Sequence, residues 1–72
     1  MVKTRMNVQS FCAALKRNAK TITVEVGSDF FRFRTKKCLF IYFIGQGSPF
    51  RDIIFHKMRE LDIDYIFLTQ VY

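Results

Sequence analysis

The stretch Thr21–Lys37, "TITVEVGSDFFRFRTKK", decides the fold. Its first six residues alternate Ile22, Val24 and Val26 against Thr21, Thr23 and Glu25. Alternate side chains on a strand point to opposite faces, so a period of two predicts a half-buried strand. Gly27-Ser28 then reads as a two-residue hairpin turn, with glycine where positive φ is wanted. With that turn, Val26, Val24 and Ile22 face Asp29, Phe31 and Phe33 on one side of the sheet. Glu25, Thr23 and Thr21 face Phe30, Arg32 and Arg34 on the other. Shifting the register by one residue would put apolar side chains on the wrong face. Phe31 and Phe33 are therefore expected in the core, and Phe30, Arg32 and Arg34 on the opposite face.

Working outward, Thr35-Lys36-Lys37 reads as a second turn, although it has neither Gly nor Asn. The next strand, "CLFIYFI" (Cys38–Ile44), is apolar on both faces. By parity Phe40 and Tyr42 join the core, while Leu39, Ile41 and Phe43 share the face of Arg32 and Arg34. Upstream, Asn7 is placed to cap a helix from about Val8 to Asn18, with the apolar stripe Val8, Phe11, Cys12, Leu15 and Ala19. Downstream, Ser48-Pro49 opens a second helix reaching about Leu61. Its stripe is Phe50, Ile53, Ile54, Met58 and Leu61, with Phe55 left off it. A last strand, "IDYIFLTQ" (Ile63–Gln70), is expected to run parallel to the third.

The expected fold is thus α+β: one small domain over residues 1–72, in the order α-β-β-β-α-β. The sheet is mainly antiparallel with the helices on one face, and residues 1–6 form a flexible basic arm. The first five elements resemble in their order the double-stranded-RNA-binding domains. "GQGS" before the second helix resembles the glycines that precede that family's basic helix start. Pro49-Phe50-Arg51-Asp52 stands where that family carries paired lysines, and the final strand has no counterpart. The resemblance is one of layout.

Charge narrows the partner. The 72 residues carry a net charge of +6, half of them are hydrophobic, and nine are Phe. Residues 1–37 hold nine Lys or Arg against Glu25 and Asp29, a net of +7, whereas residues 38–72 carry a net of −1. A basic surface selects acidic partners: nucleic acid, an acidic protein or an anionic membrane. Cys12 and Cys38 are too few for a disulfide scaffold and read as reduced core residues. "MVKTRMNVQS" has no apolar run, and the longest such run, Cys38–Ile44, is too short for a membrane helix. A cytoplasmic protein is expected.

Catalytic chemistry is not expected. His56 is the only histidine and lies off the apolar stripe, and one His with two distant Cys gives no metal-ligand spacing. Asp62 and Asp64 share one side of the last strand, but they read as a solvated helix-to-strand corner. Neither an enzyme nor a cofactor is expected. "GQGS" with Arg51 is a short candidate for an anion cradle.

What remains is the second sheet face and the basic loops. Phe30, Arg32 and Arg34, with Lys16, Arg17, Lys20, Lys36 and Lys37, are the candidate nucleic-acid contacts. Bases stack on rings while cations hold the backbone. The arm adds Lys3 and Arg5. The competing reading uses Leu39, Ile41 and Phe43 on the same face as an interface, either with a protein target or with a second copy. The former would be a regulator or inhibitor of the kind phages and mobile elements encode.

Overall fold

The structure, a computed structural model, describes residues 2–3 and 6–68. Its elements are β1 (Val2–Lys3), α1 (Val8–Asn18), β2 (Thr23–Val26), β3 (Phe30–Arg34), β4 (Leu39–Phe43), α2 (Phe50–Glu60) and β5 (Asp64–Phe67). Apart from the two-residue β1, the order is the expected α-β-β-β-α-β. Of the expected arm, Val2–Lys3 pairs parallel with β4, while Met1, Thr4 and Arg5 lie outside the described residues. So do Thr69 and Gln70 of the expected last strand.

Strands lie in the order β1-β4-β3-β2-β5. β2 pairs antiparallel with β3, and β3 with β4, while β5 joins β2 in parallel. β5 therefore runs in the direction of β4, as expected, but at the far edge of the sheet. α2 spans β3 and β2 to deliver it there.

Both helices pack on one sheet face. Phe11 of α1 meets Phe33 at 5.4 Å, Tyr42 at 5.8 Å and Phe31 at 6.3 Å, and Phe55 of α2 meets Phe31 at 5.2 Å. Phe11, Leu15, Phe31, Phe33, Ile54, Met58, Val24 and Val26 are fully enclosed. Each large apolar side chain so buried contributes about 1.5–3 kcal/mol.

The hairpin keeps its expected faces but not its expected register. Glu25 pairs with Arg32 and Val26 with Phe31, two residues away from the expected pairing. An even shift preserves which side every residue faces. The turn is Ser28-Asp29, closed by the Gly27 N–H donating to the Phe30 carbonyl at 2.8 Å. No described glycine has positive φ. Gly27 is required for a different reason: a Cβ there would overlap the Phe30 ring.

The β3–β4 turn manages without Gly because Thr35 supplies the missing polar partner. Its Oγ1 accepts from the N–H groups of Lys37 at 3.2 Å and Cys38 at 3.0 Å. Asn7 caps α1 as expected, its Oδ1 accepting from the Ser10 N–H at 2.8 Å. α2 starts one residue later than expected: Pro49 stands at its N-cap, and the Oγ of the preceding Ser48 accepts from the Phe50 N–H at 3.2 Å. α2 ends in a Schellman motif: Ile63 N–H donates to Met58 O at 2.9 Å, and Asp62 N–H to Arg59 O at 3.2 Å. Asp62 takes the left-handed position with φ 60°, the one positive φ among the described residues.

α2 is rotated from its expected stripe. Phe50 and Ile53 are 46% and 47% exposed, whereas Phe55, expected off the stripe, packs on Phe31, Tyr65 and Phe67. The inward stripe is Arg51, Ile54, Phe55 and Met58. Arg51 qualifies because its guanidinium lies over the Phe31 ring at 4.9 Å. The cysteines are free and only partly buried, Cys12 against the core and Cys38 beside the β3–β4 turn, rather than enclosed as expected.

Candidate nucleic-acid interface

Three expected cations converge at one end of the sheet. α1 ends in Lys16-Arg17-Asn18, and the chain turns at once: the Thr21 N–H donates to Asn18 O at 3.1 Å. The β3–β4 turn carries Lys36 and Lys37 to the same place. Between them lies an open cleft of about 480 Å³ lined by Arg17, Asn18, Thr21, Thr35, Lys36, Lys37, Cys38 and Phe40. Three of these are cations and none is acidic. The apolar wall is firm, because Phe40 stacks on the buried Phe33 at 4.7 Å with 22° between the rings. Coulomb repulsion among three like charges around one cleft raises its affinity for an anion.

The cleft lies on the helix side of the sheet, since Cys38 and Phe40 share parity with the core residue Tyr42. The expected site gathers on the opposite face. Lys16 and Lys20 are exposed but do not line the cleft.

The opposite face is uncovered by either helix. Its rows follow from the register: Ile41–Arg32–Glu25–Ile66, Leu39–Arg34 with Thr23–Asp64, and Phe43–Phe30. Phe43 is 52% exposed and Ile66 is 50% exposed, while Leu39, Ile41 and Phe30 are partly buried. Phe30, Arg32 and Arg34 do lie here, as expected. Arg32, however, is engaged. Its Nε donates to Glu25 Oε1 at 2.6 Å, and its guanidinium sits 5.4 Å from the Phe30 ring centre. The expected register puts Glu25 opposite Phe30 and so hides this pair. Arg34 is exposed and immediately precedes Thr35, so it extends the positive end onto this face.

Titration is perturbed near α1. Burial pushes the Cys12 thiol up, with Lys57 pulling it part of the way back. Burial also raises the Tyr42 phenol, and Cys12 adds to that rise. His56 is exposed. Among the described residues no group of three or more His, Cys, Asp or Glu is placed to hold a metal ion. Among them, too, no helix is long and apolar enough to cross a membrane. Asp62 takes the left-handed position just after Leu61, the C-cap of α2, and Asp64 stands beside Thr23 on the uncovered face.

No family model, curated protein or solved structure matches this chain.

Proposed function

We propose that this domain is a non-catalytic nucleic-acid-binding protein that holds the phosphate backbone at its basic end. The observation that carries the reading is the convergence of Arg17, Lys36 and Lys37 on one cleft with an apolar wall and no acidic lining residue. Residues some twenty apart in sequence supply one continuous positive surface, and Arg34 carries it onto the uncovered face. Lys16 and Lys20 add long-range attraction. Phe30 and Phe43, paired across β3 and β4, offer rings to unstacked bases. Arg32 contributes less, since Glu25 already neutralises it.

The experiment is a fluorescence anisotropy titration with a labelled oligonucleotide at about 50 and 200 mM salt. Release of condensed cations predicts a steep loss of affinity at the higher salt. No binding at low salt, or binding insensitive to salt, removes the reading.

A second reading rests on Phe43 and Ile66, both about half exposed on a sheet face that no helix covers. Apolar surface left in water favours a protein partner, a target or a second copy. Ile41→Asp should then dissolve the complex or dimer without unfolding the domain, as read by light scattering after size exclusion.

A further inference from the structure

The opposite end of the molecule holds a cation with no anion among the described residues. Arg51 points inward from the first turn of α2, its guanidinium over the rings of Phe31 at 4.9 Å and Phe55 at 5.9 Å. Its Nη2 donates to the Gly27 carbonyl at 3.5 Å. Its Nη1 is shut off from solvent and meets no hydrogen-bond acceptor among the described residues. Neither ion pair among those residues includes Arg51, for these are Arg32–Glu25 and Lys57–Glu60. Arg51 is partly buried, and a guanidinium partly withdrawn from water without a counter-charge has a strengthened attraction for any anion that reaches it.

An anion has somewhere to sit. A cleft of about 330 Å³ opens beside Arg51, lined also by Val26, Gly27, Ser28, Gln46, Phe67 and Leu68. None of these lining residues is acidic. Besides Arg51, the Ser28 hydroxyl and the Gln46 side-chain amide are the polar side chains of this wall, and both can donate. Both residues are exposed and belong to turns, so a ligand can approach from solvent.

We propose that this cleft binds an oxyanion, a phosphate or carboxylate group, with the Arg51 guanidinium as its principal donor and Ser28 and Gln46 as secondary ones. The site is separate from the basic cleft. It is built from the β2–β3 turn, the β4–α2 loop and the end of β5, and shares no residue with the other. It stands or falls independently of nucleic-acid binding.

The test is thermal unfolding in sodium phosphate, sodium acetate and sodium chloride at matched ionic strength and pH 7. The other readout is the amide shifts of Gly27, Ser28 and Gln46 during each titration. A ligand bound only by the folded chain raises Tm, here by about 4 °C or more once the site is well occupied. Phosphate alone giving the rise assigns a phosphate group, acetate alone a carboxylate, and both together a general oxyanion site. Gln46→Glu places a carboxylate at the mouth of the cleft on an exposed position and should abolish the rise while leaving the fold intact. Arg51→Met should abolish it as well; because that change also removes the ring contacts, the Gln46 variant decides. An equal rise in Gln46→Glu, or no rise and no shift at Gly27, Ser28 and Gln46 with either anion, overturns the proposal.

Discussion

Arg32 donates its Nε to Glu25 Oε1 at 2.6 Å across the β2–β3 pair, so an arginine at the centre of the uncovered sheet face is already neutralised there. Their side chains are 38% and 37% exposed, which keeps the pair in the range of a solvated ion pair, about 0–1 kcal/mol. Arg32→Ala should therefore lower stability by less than about 1 kcal/mol. It should also cost less nucleic-acid affinity than Lys36→Ala. Urea melts and anisotropy on the two variants check both statements. A larger affinity loss at Arg32 would move the binding surface to the sheet face.

The hairpin depends on the contact between Gly27 and the Phe30 ring. Gly27→Ala should cost about 1–3 kcal/mol by overpacking. The same change made in a Phe30→Ala background should cost much less, since the overlapping atoms are gone. A double-mutant cycle by chemical denaturation reads this coupling. Equal costs in the two backgrounds would mean that Gly27 is needed for its backbone freedom and not for the ring.

Asp62 occupies a left-handed position that glycine takes without steric cost. Asp62→Gly should raise stability by about 1 kcal/mol, since the relief at this φ exceeds the extra chain entropy of glycine. Thermal melts of the variant against the parent check it. A fall in Tm would show that the Asp62 side chain does more than tolerate the turn.

Alkaline pH should loosen the α1–β4 contact. The Cys12 thiol and Tyr42 phenol are both raised in the folded chain, chiefly by burial. A folded pKa above the unfolded one means that the unfolded chain loses its proton first as pH rises. Their contribution is thus whole below the ordinary values of 9.0 and 10.0 and declines as pH climbs past them. Urea melts at pH 8 and pH 10.5 should differ, and Cys12→Ala with Tyr42→Phe should narrow the difference. An unchanged difference would assign the alkaline loss to other groups.

Much of the fold is legible in the sequence because local rules agree with it. Asn7 caps the helix it is expected to cap, Ser48-Pro49 marks the start of the second within a residue, and the period of two puts Phe31 and Phe33 on the core face. Register is not legible. Parity is blind to a shift of two, and the choice is made by a ring packing over Gly27 and an arginine meeting Glu25. The inward stripe of α2 is obscured because Arg51 sits in an apolar position, its charge stacked on Phe31. The basic cleft joins the end of α1 to the β3–β4 turn, a long-range contact that no local pattern announces. The cations themselves are visible in the sequence, and their meeting place is not.

The measurement that bears most directly on the binding surface compares charge reversals at two places. Arg17→Glu with Lys36→Glu reverses the basic cleft, and Arg59→Glu reverses an exposed cation of α2 that does not line it. Affinity for a single-stranded oligonucleotide is measured against salt for the parent and each variant. The cleft variant should bind at least about tenfold more weakly, and its slope of log affinity against log salt should fall by about 1.4, since two phosphates of a single strand are no longer neutralised. Arg59→Glu should leave the slope within about half a unit of the parent. An equal effect per reversed charge in both variants would mean that net charge alone draws the polymer, and that the cleft of Arg17, Lys36 and Lys37 is not its binding surface.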